Sequence, residues 1–179
     1  MDKSRANKTS PQSQLYVPEE FVDKYSVPVF RFCRSLTYSK EDAEDLFQET
    51  FLQVFEKPHK LNATSNPQSL LFSTALFIWK SWKRKYARRR QIASIEPLDE
   101  TVESDIDIEN NYLIQEEIRM VRGLVETLPE KYKIPTILYY TLEMNITDIA
   151  MTLHIPEGTV KSRLHKARNL IEKGLGSNQ

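Results

Sequence analysis

Glycine is scarce. The 179 residues include four, Gly123, Gly158, Gly174 and Gly176, and they form no glycine-rich loop. That excludes phosphate cradling of the P-loop or dinucleotide-binding kind. Cys33 is the single cysteine, so there is no internal disulfide and no cysteine metal cluster. The three histidines, His59, His154 and His165, lie far apart and none has the spacing of a metal motif. No uninterrupted apolar run approaches the ~20 residues of a membrane span, and the first residues do not have the pattern of a signal peptide. Nor is there an excess of charge of one sign, with 25 basic side chains against 25 acidic ones. The expectation is a soluble, reduced, cytoplasmic protein without metal or cofactor.

Zero net charge conceals four blocks of one sign each. Between Glu41 and Glu56 the charges are Glu41, Asp42, Glu44, Asp45, Glu49 and Glu56. From Lys80 to Arg90 they are Lys80, Lys83, Arg84, Lys85, Arg88, Arg89 and Arg90. From Gln91 to Glu109 they are again all acidic, and from Thr159 to Arg168 all basic (Lys161, Arg163, Lys166, Arg168). Solvated helix faces would average the signs. Segregated blocks point to two nucleic-acid contacts and at least one basic partner.

The hydrophobic pattern is helical throughout. Phe21, Val22, Tyr25, Val29, Phe32, Cys33 and Leu36 form one apolar series beginning near Pro18, which Pro28 is expected to bend or break. From Glu41 to Phe55, residues Ala43, Leu46, Phe47, Phe51, Val54 and Phe55 share a face at the 3.6-residue period, and Pro58 ends the run. Asn62–Pro67 has the composition of a loop. Ser69 to about Arg90 is a helix with Leu71, Ala75, Ile78, Trp82 and Tyr86 inward. Gln91–Asn110 loses the pattern. Helix resumes from Tyr112 to Thr127, and Pro129 starts another that Pro135 must kink or delay. Nothing alternates at period two, so no sheet is expected. The fold class is all-α: two small helical domains joined by an acidic linker, the second a helix-turn-helix. The divisions are a disordered tail at 1–15, a first domain at 16–90, a linker at 91–111 and a second domain at 112–179.

The helix-turn-helix lies near the C-terminus. Thr147–Leu153 is a short helix with Ile149, Ala150 and Leu153 inward and Thr147 as its expected N-cap. His154 and Ile155 make the turn, and Pro156 opens the second helix. There Val160, Leu164, Ala167 and Ile171 repeat on one face. The opposite face carries Ser162, His165, Lys166 and Asn169 between Lys161 and Arg168. Short polar donors flanked by cations are what a helix in the major groove requires.

These residues carry a resemblance. The run Glu157-Gly158-Thr159-Val160-Lys161-Ser162-Arg163-Leu164-His165-Lys166-Ala167-Arg168 resembles the signature of the second domain of extracytoplasmic-function (ECF, group IV) sigma factors. Leu128-Pro129-Glu130 resembles the start of that domain, and Asp42 through Leu52 the polymerase-binding helix of the first. The three motifs stand in the family's order and span about Pro18 to Leu175. The resemblance implies an accessory subunit of bacterial RNA polymerase, not an enzyme, that directs promoter-specific initiation, often in stress responses. Its implied partners are core RNA polymerase, at the clamp helices and the flap, and promoter DNA, with a cognate anti-sigma factor as a further candidate. No small-molecule substrate is implied. Residues 16–90 would be sigma region 2, and 112–179 sigma region 4.

Each surface also has a physical reading. With ~100° per residue, Asp45, Gln48, Glu49, Leu52 and Glu56 project in one direction, opposite the apolar stripe. Leu52 is thus an apolar side chain stranded among carboxylates, an anchor suited to a basic helical partner. The resemblance names that partner as the polymerase clamp helices. On the next long helix Leu76 and Phe77 are expected outward beside Lys80, Lys83, Arg84 and Arg88, rings and cations suited to single-stranded DNA. The resemblance implies capture and melting of the minus-ten element there, with an extruded base held by the preceding loop, about Leu61–Gln68. Many family members have an Arg-Asn pair where this chain has Leu76-Phe77, so the base read there is left open. In the C-terminal helix Thr159, Lys161, Ser162, Arg163, His165, Lys166 and Arg168 would read the minus-thirty-five element. The competing reading is a stand-alone helix-turn-helix repressor on a palindromic operator. It leaves Leu52 and its carboxylates unexplained. No nucleophile–base pair or metal spacing supports an enzyme.

Overall fold

The structure, a computed structural model, describes residues 19–37, 39–93 and 112–176, with side chains at 19–37, 39–88 and 120–176. Every regular element among the described residues is helical. Helix α1 (Glu19–Leu36) begins on two glutamates and ends near Arg34, both favourable to the helix dipole. Pro28 lies inside it without the break expected from sequence. A proline within a helix costs about 3 kcal/mol. Burial of Val29, Phe32, Cys33 and Leu36, at roughly 1.5–3 kcal/mol for a large side chain, outweighs that.

Ser39 caps α2 (Lys40–Phe55), its Oγ accepting from the Asp42 amide at 3.0 Å. Pro58 does more than stop this helix: it starts a short one, α3 (Pro58–Ala63), where its missing N–H is not needed. The expected loop at Asn62–Pro67 contracts accordingly. Asn66 then caps α4 (Pro67–Ala93), its Oδ1 accepting from the Ser69 amide at 3.0 Å. Helix α4 runs three residues into the segment assigned to the linker; the rest of that acidic segment and the N-terminal tail lie outside the described residues.

The second half comprises α5 (Tyr112–Thr127), α6 (Glu130–Thr136), a π-helical turn (Ile137–Thr141), α7 (Ile146–Leu153) and α8 (Glu157–Gly176). Helix α6 starts immediately after Pro129, so Pro135 does not delay it. The backbone widens just beyond Pro135, where the Leu142 amide donates to the Ile137 carbonyl at 3.2 Å.

Helices α1, α2 and α4 enclose an aromatic core. Phe32 and Phe72 meet edge-on with ring centres 4.9 Å apart, and Phe21, Phe47, Phe51 and Phe55 continue the cluster. In the C-terminal half Leu138, Ile149 and Val160 are fully buried. The two cores are not separate. Helix α7 packs on α4, the π turn meets α1, and the buried residues form one continuous cluster. Polar contacts join the halves as well. Asn66 Nδ2 donates to Asp148 Oδ1 at 2.7 Å, Ser69 Oγ donates to the Asp148 carbonyl at 3.3 Å, and Lys83 pairs with Glu130.

Candidate polymerase and DNA interfaces

Helix α2 presents two faces. Ala43, Leu46, Thr50, Phe51, Val54 and Phe55 are buried, and the Thr50 hydroxyl is satisfied by the Leu46 carbonyl at 2.6 Å. On the other side Asp45, Gln48 and Glu56 are exposed, and Leu52 is 60% exposed. Glu49, half-buried, accepts a hydrogen bond from Gln53 at 3.3 Å. The structure therefore brings the five sequence-selected residues onto one ridge, with the leucine at its centre.

Helix α4 departs from the sequence reading at two positions. Leu76 is buried, 4% exposed, and does not join the outward face expected for it; Tyr86, expected inward, is 58% exposed. Both follow from what α4 packs against. It is covered by α1 and α2 on one side and by α7 on another, so Leu71, Phe72, Ala75, Leu76 and Ile78 are all buried, a wider arc than one amphipathic stripe. Beyond Lys83 the helix outruns its partners, and residues 84–88 are all exposed, including the nominally inward Tyr86. Trp79 and Trp82 are half-buried against the core.

What remains outward is coherent. Phe77, 63% exposed, lies with Lys80, Arg84 and Arg88 within about 80° of arc at ~100° per residue. Lys83 stands at the border of that face. It lies over the Trp79 ring, 4.8 Å from its centre, and pairs with Glu130. Its pKa is lowered from the usual lysine value, first by partial burial and then by the neighbouring charge of Lys133.

The helix-turn-helix forms as read, with a different cap. Asn145, not Thr147, starts α7. Its Oδ1 accepts from the Asp148 amide at 2.8 Å. Thr147 lies one residue inside the helix and donates instead to Glu157 Oε1 at 2.7 Å, tying α7 to α8. His154 takes the left-handed conformation at the turn (φ 55°, ψ 45°), with Nδ1 2.7 Å from the Met151 carbonyl. Pro156 supplies the carbonyl that accepts the first α8 bonds, from Thr159 and Val160. Val160, Leu164 and Ala167 are buried, and Ile171 half-buried.

Lys161, Ser162, His165, Lys166 and Arg168 are exposed on the other face, with Thr159 and Arg163 half-buried at its edge. Ser162 Oγ donates to the Thr159 carbonyl, and His165 Nε2 lies 3.4 Å from Asn169 Nδ2. Sequence reasoning missed Tyr140, whose hydroxyl accepts from Arg168 Nη2 at 2.9 Å and holds the guanidinium pKa above its usual value. It also missed Asp148 and Glu130, because their partners lie 82 and 47 residues away. Among the described residues no group of three His, Cys, Asp or Glu side chains could hold a metal, and no helix is long and apolar enough to cross a membrane.

Comparison with known proteins agrees with this anatomy. Residues 21–90 match sigma-70 region 2, and residues 118–171 match sigma-70 region 4. The ECF RNA polymerase sigma factor SigM of Bacillus subtilis is 30% identical over 156 residues, covering 86% of this chain and 92% of its own. SigW of the same organism is 26% identical over 163 residues, covering 87% of each. The Bartonella quintana sigma factor RpoE, solved in complex with the anti-sigma factor NepR, superposes with a TM-score of 0.74 at 21% identity, over 90% of this chain and all of that one. With both sigma regions matched in order and whole-length relatives of this kind, the chain belongs to the ECF sigma factors, the subunits that give RNA polymerase promoter-specific initiation.

Proposed function

We propose that this sigma factor divides its work among three surfaces. The α2 ridge (Asp45, Gln48, Glu49, Leu52, Glu56) docks on a basic, helical surface of core polymerase. A single observation carries this: Leu52 stands exposed at the centre of a carboxylate ridge, on a helix whose opposite face is fully used by the core. An apolar anchor with a charged surround suits a steered, specific interface.

The outward face of α4 (Phe77, Lys80, Lys83, Arg84, Arg88) with the segment 61–68, which the structure forms as the end of α3, a loop at 64–66 and the start of α4, takes the melted minus-ten strand. Cations track the phosphates and Phe77 stacks on a base. Leu76 is withdrawn from this set, since its side chain fills the core. The α8 face, from Thr159 through Arg168, reads the minus-thirty-five duplex in the major groove. Arg168 enters it held by Tyr140. The chemistry of RNA synthesis belongs to the polymerase, and this chain, acting in the cytoplasm, contributes no catalytic group. An anti-sigma partner is consistent with the fold of the RpoE in the NepR complex.

Site-specific photocrosslinking tests the division. In holoenzyme on promoter DNA, a probe at Phe77 should mark the non-template strand near minus ten and a probe at Lys166 the duplex near minus thirty-five. Both probes marking one region, or marking two symmetric half-sites, would overturn it.

A further inference from the structure

Helix α8 opens on a carboxylate. Glu157, its first residue, is exposed and stands outside the set from Thr159 through Arg168 assigned to the duplex. At ~100° per residue it lies about 40° from Lys161 and about 20° from Arg168, so it heads the edge of the helix that those two cations continue. It is the single acid between its own position and Arg168.

An acid in the first turn suits the helix dipole, and Lys161, four residues on, is its ordinary ion-pair partner. Glu157 does not take that partner: among the described residues it forms no ion pair. Its Oε1 instead accepts from Thr147 Oγ1 at 2.7 Å, across the turn from α7. Thr147 is itself exposed in the first turn of α7. Among the described residues nothing donates to Oε2. The dipole requires only a negative charge near the helix start, in any rotamer. A carboxylate with one oxygen held and the other open is more than the dipole requires.

We propose that Glu157 reads a cytosine in the minus-thirty-five duplex and that Thr147 aims it. The proposal rests on the placement of α8 in the major groove given above. The first residues of a recognition helix are those that reach base edges. An ionised carboxylate only accepts hydrogen bonds. In the major groove guanine presents two acceptors, thymine an acceptor and a methyl group, and adenine an acceptor beside its amino group. Cytosine presents a donor alone, the N4 amino group, and this group donates to Oε2. Opposite any other base the carboxylate loses water without gaining a donor, in a groove bordered by phosphates. Glu157 thus adds rejection of wrong sequences to a face whose other charges attract any DNA. Thr147 is a positioning residue. Its hydroxyl fixes the carboxylate before DNA arrives, so less freedom is lost on binding.

The test uses core polymerase loaded with the full-length chain. Promoters in which each position of the minus-thirty-five element takes all four base pairs in turn compete for it. The unaltered chain should favour cytosine at one position, on one strand, by at least about fivefold over the other bases. Glu157→Ala should flatten the preference there and leave the other positions as they were. Glu157→Gln should move it toward adenine, because an amide donates as well as accepts and so pairs with both N7 and N6. Thr147→Val keeps the shape and removes the hydroxyl; it should weaken the preference at that same position. Thr147→Ser should keep it.

A loss spread evenly over all positions in Glu157→Ala and Thr147→Val would reduce the pair to a tie between α7 and α8 and overturn the proposal. An unchanged profile in Glu157→Ala would overturn it as well. Flattening by Glu157→Ala but not by Thr147→Val would overturn the role of Thr147. An unaltered chain that discriminates at no position would instead remove α8 as the reading helix, and the cytosine contact with it.

Discussion

Leu52 on α2 and Phe77 on α4 are almost equally exposed, 60% and 63%, and each stands alone on a charged helix face. The signs around them are opposite. Asp45, Glu49 and Glu56 attend the leucine, whereas Lys80, Arg84 and Arg88 attend the phenylalanine. An aliphatic chain among carboxylates fits a basic protein surface. A flat ring among cations fits stacked bases and phosphates. On the proposed assignment, the charges around each exposed apolar group select the class of partner, while the group itself supplies the anchor.

The sharpest break in the comparison lies between neighbours on α4. Leu76→Ala should destabilise the protein by about 2–5 kcal/mol, as a core truncation does, whereas Phe77→Ala should change stability by less than about 0.5 kcal/mol. Urea unfolding of the two variants checks this. Equal losses would return Leu76 to the surface or place Phe77 in the core. Phe77→Ala should instead lower open-complex formation.

Leu52→Arg comes next. A central anchor replaced by a cation should weaken core polymerase binding by at least about 2 kcal/mol, with an unaltered melting temperature. Polymerase pull-down at a fixed chain concentration measures it, and undiminished capture would place the docking surface elsewhere. Ser162→Ala with Lys166→Ala should lose about 1–3 kcal/mol per discriminating contact at the minus-thirty-five element and leave polymerase binding intact. Competition between native and scrambled upstream elements checks this.

The smallest effect concerns the α7 cap. Asn145→Ala should cost about 1 kcal/mol, and Thr147→Ala less, because only the former supplies the capping acceptor. The reverse order in thermal unfolding would contradict the cap seen here.

How much was legible follows the same logic. The α2 ridge could be read because that helix has one buried side, so a 3.6-residue wheel places Leu52 correctly. The helix-turn-helix could be read because its partners are adjacent in sequence and His154 tolerates the left-handed turn. Leu76 and Tyr86 were misplaced because a wheel knows neither how many helices surround α4 nor where they end. The π turn after Pro135 and the continuity of α1 through Pro28 depend on packing that no local rule contains. Asn66 and Ser69 carry the local signal of a helix cap, but their contact with Asp148 carries none, since it joins residues 82 and 79 positions apart.

The central claim is that one chain, seated on polymerase, reads a promoter in two unlike places. Footprinting on a promoter found by run-off transcription with core enzyme tests it most directly. The prediction is an asymmetric footprint with separate minus-ten and minus-thirty-five parts, present with core polymerase and the unaltered chain and lost with Leu52→Arg. A symmetric footprint made by the chain alone, indifferent to polymerase and to Leu52→Arg, would contradict it.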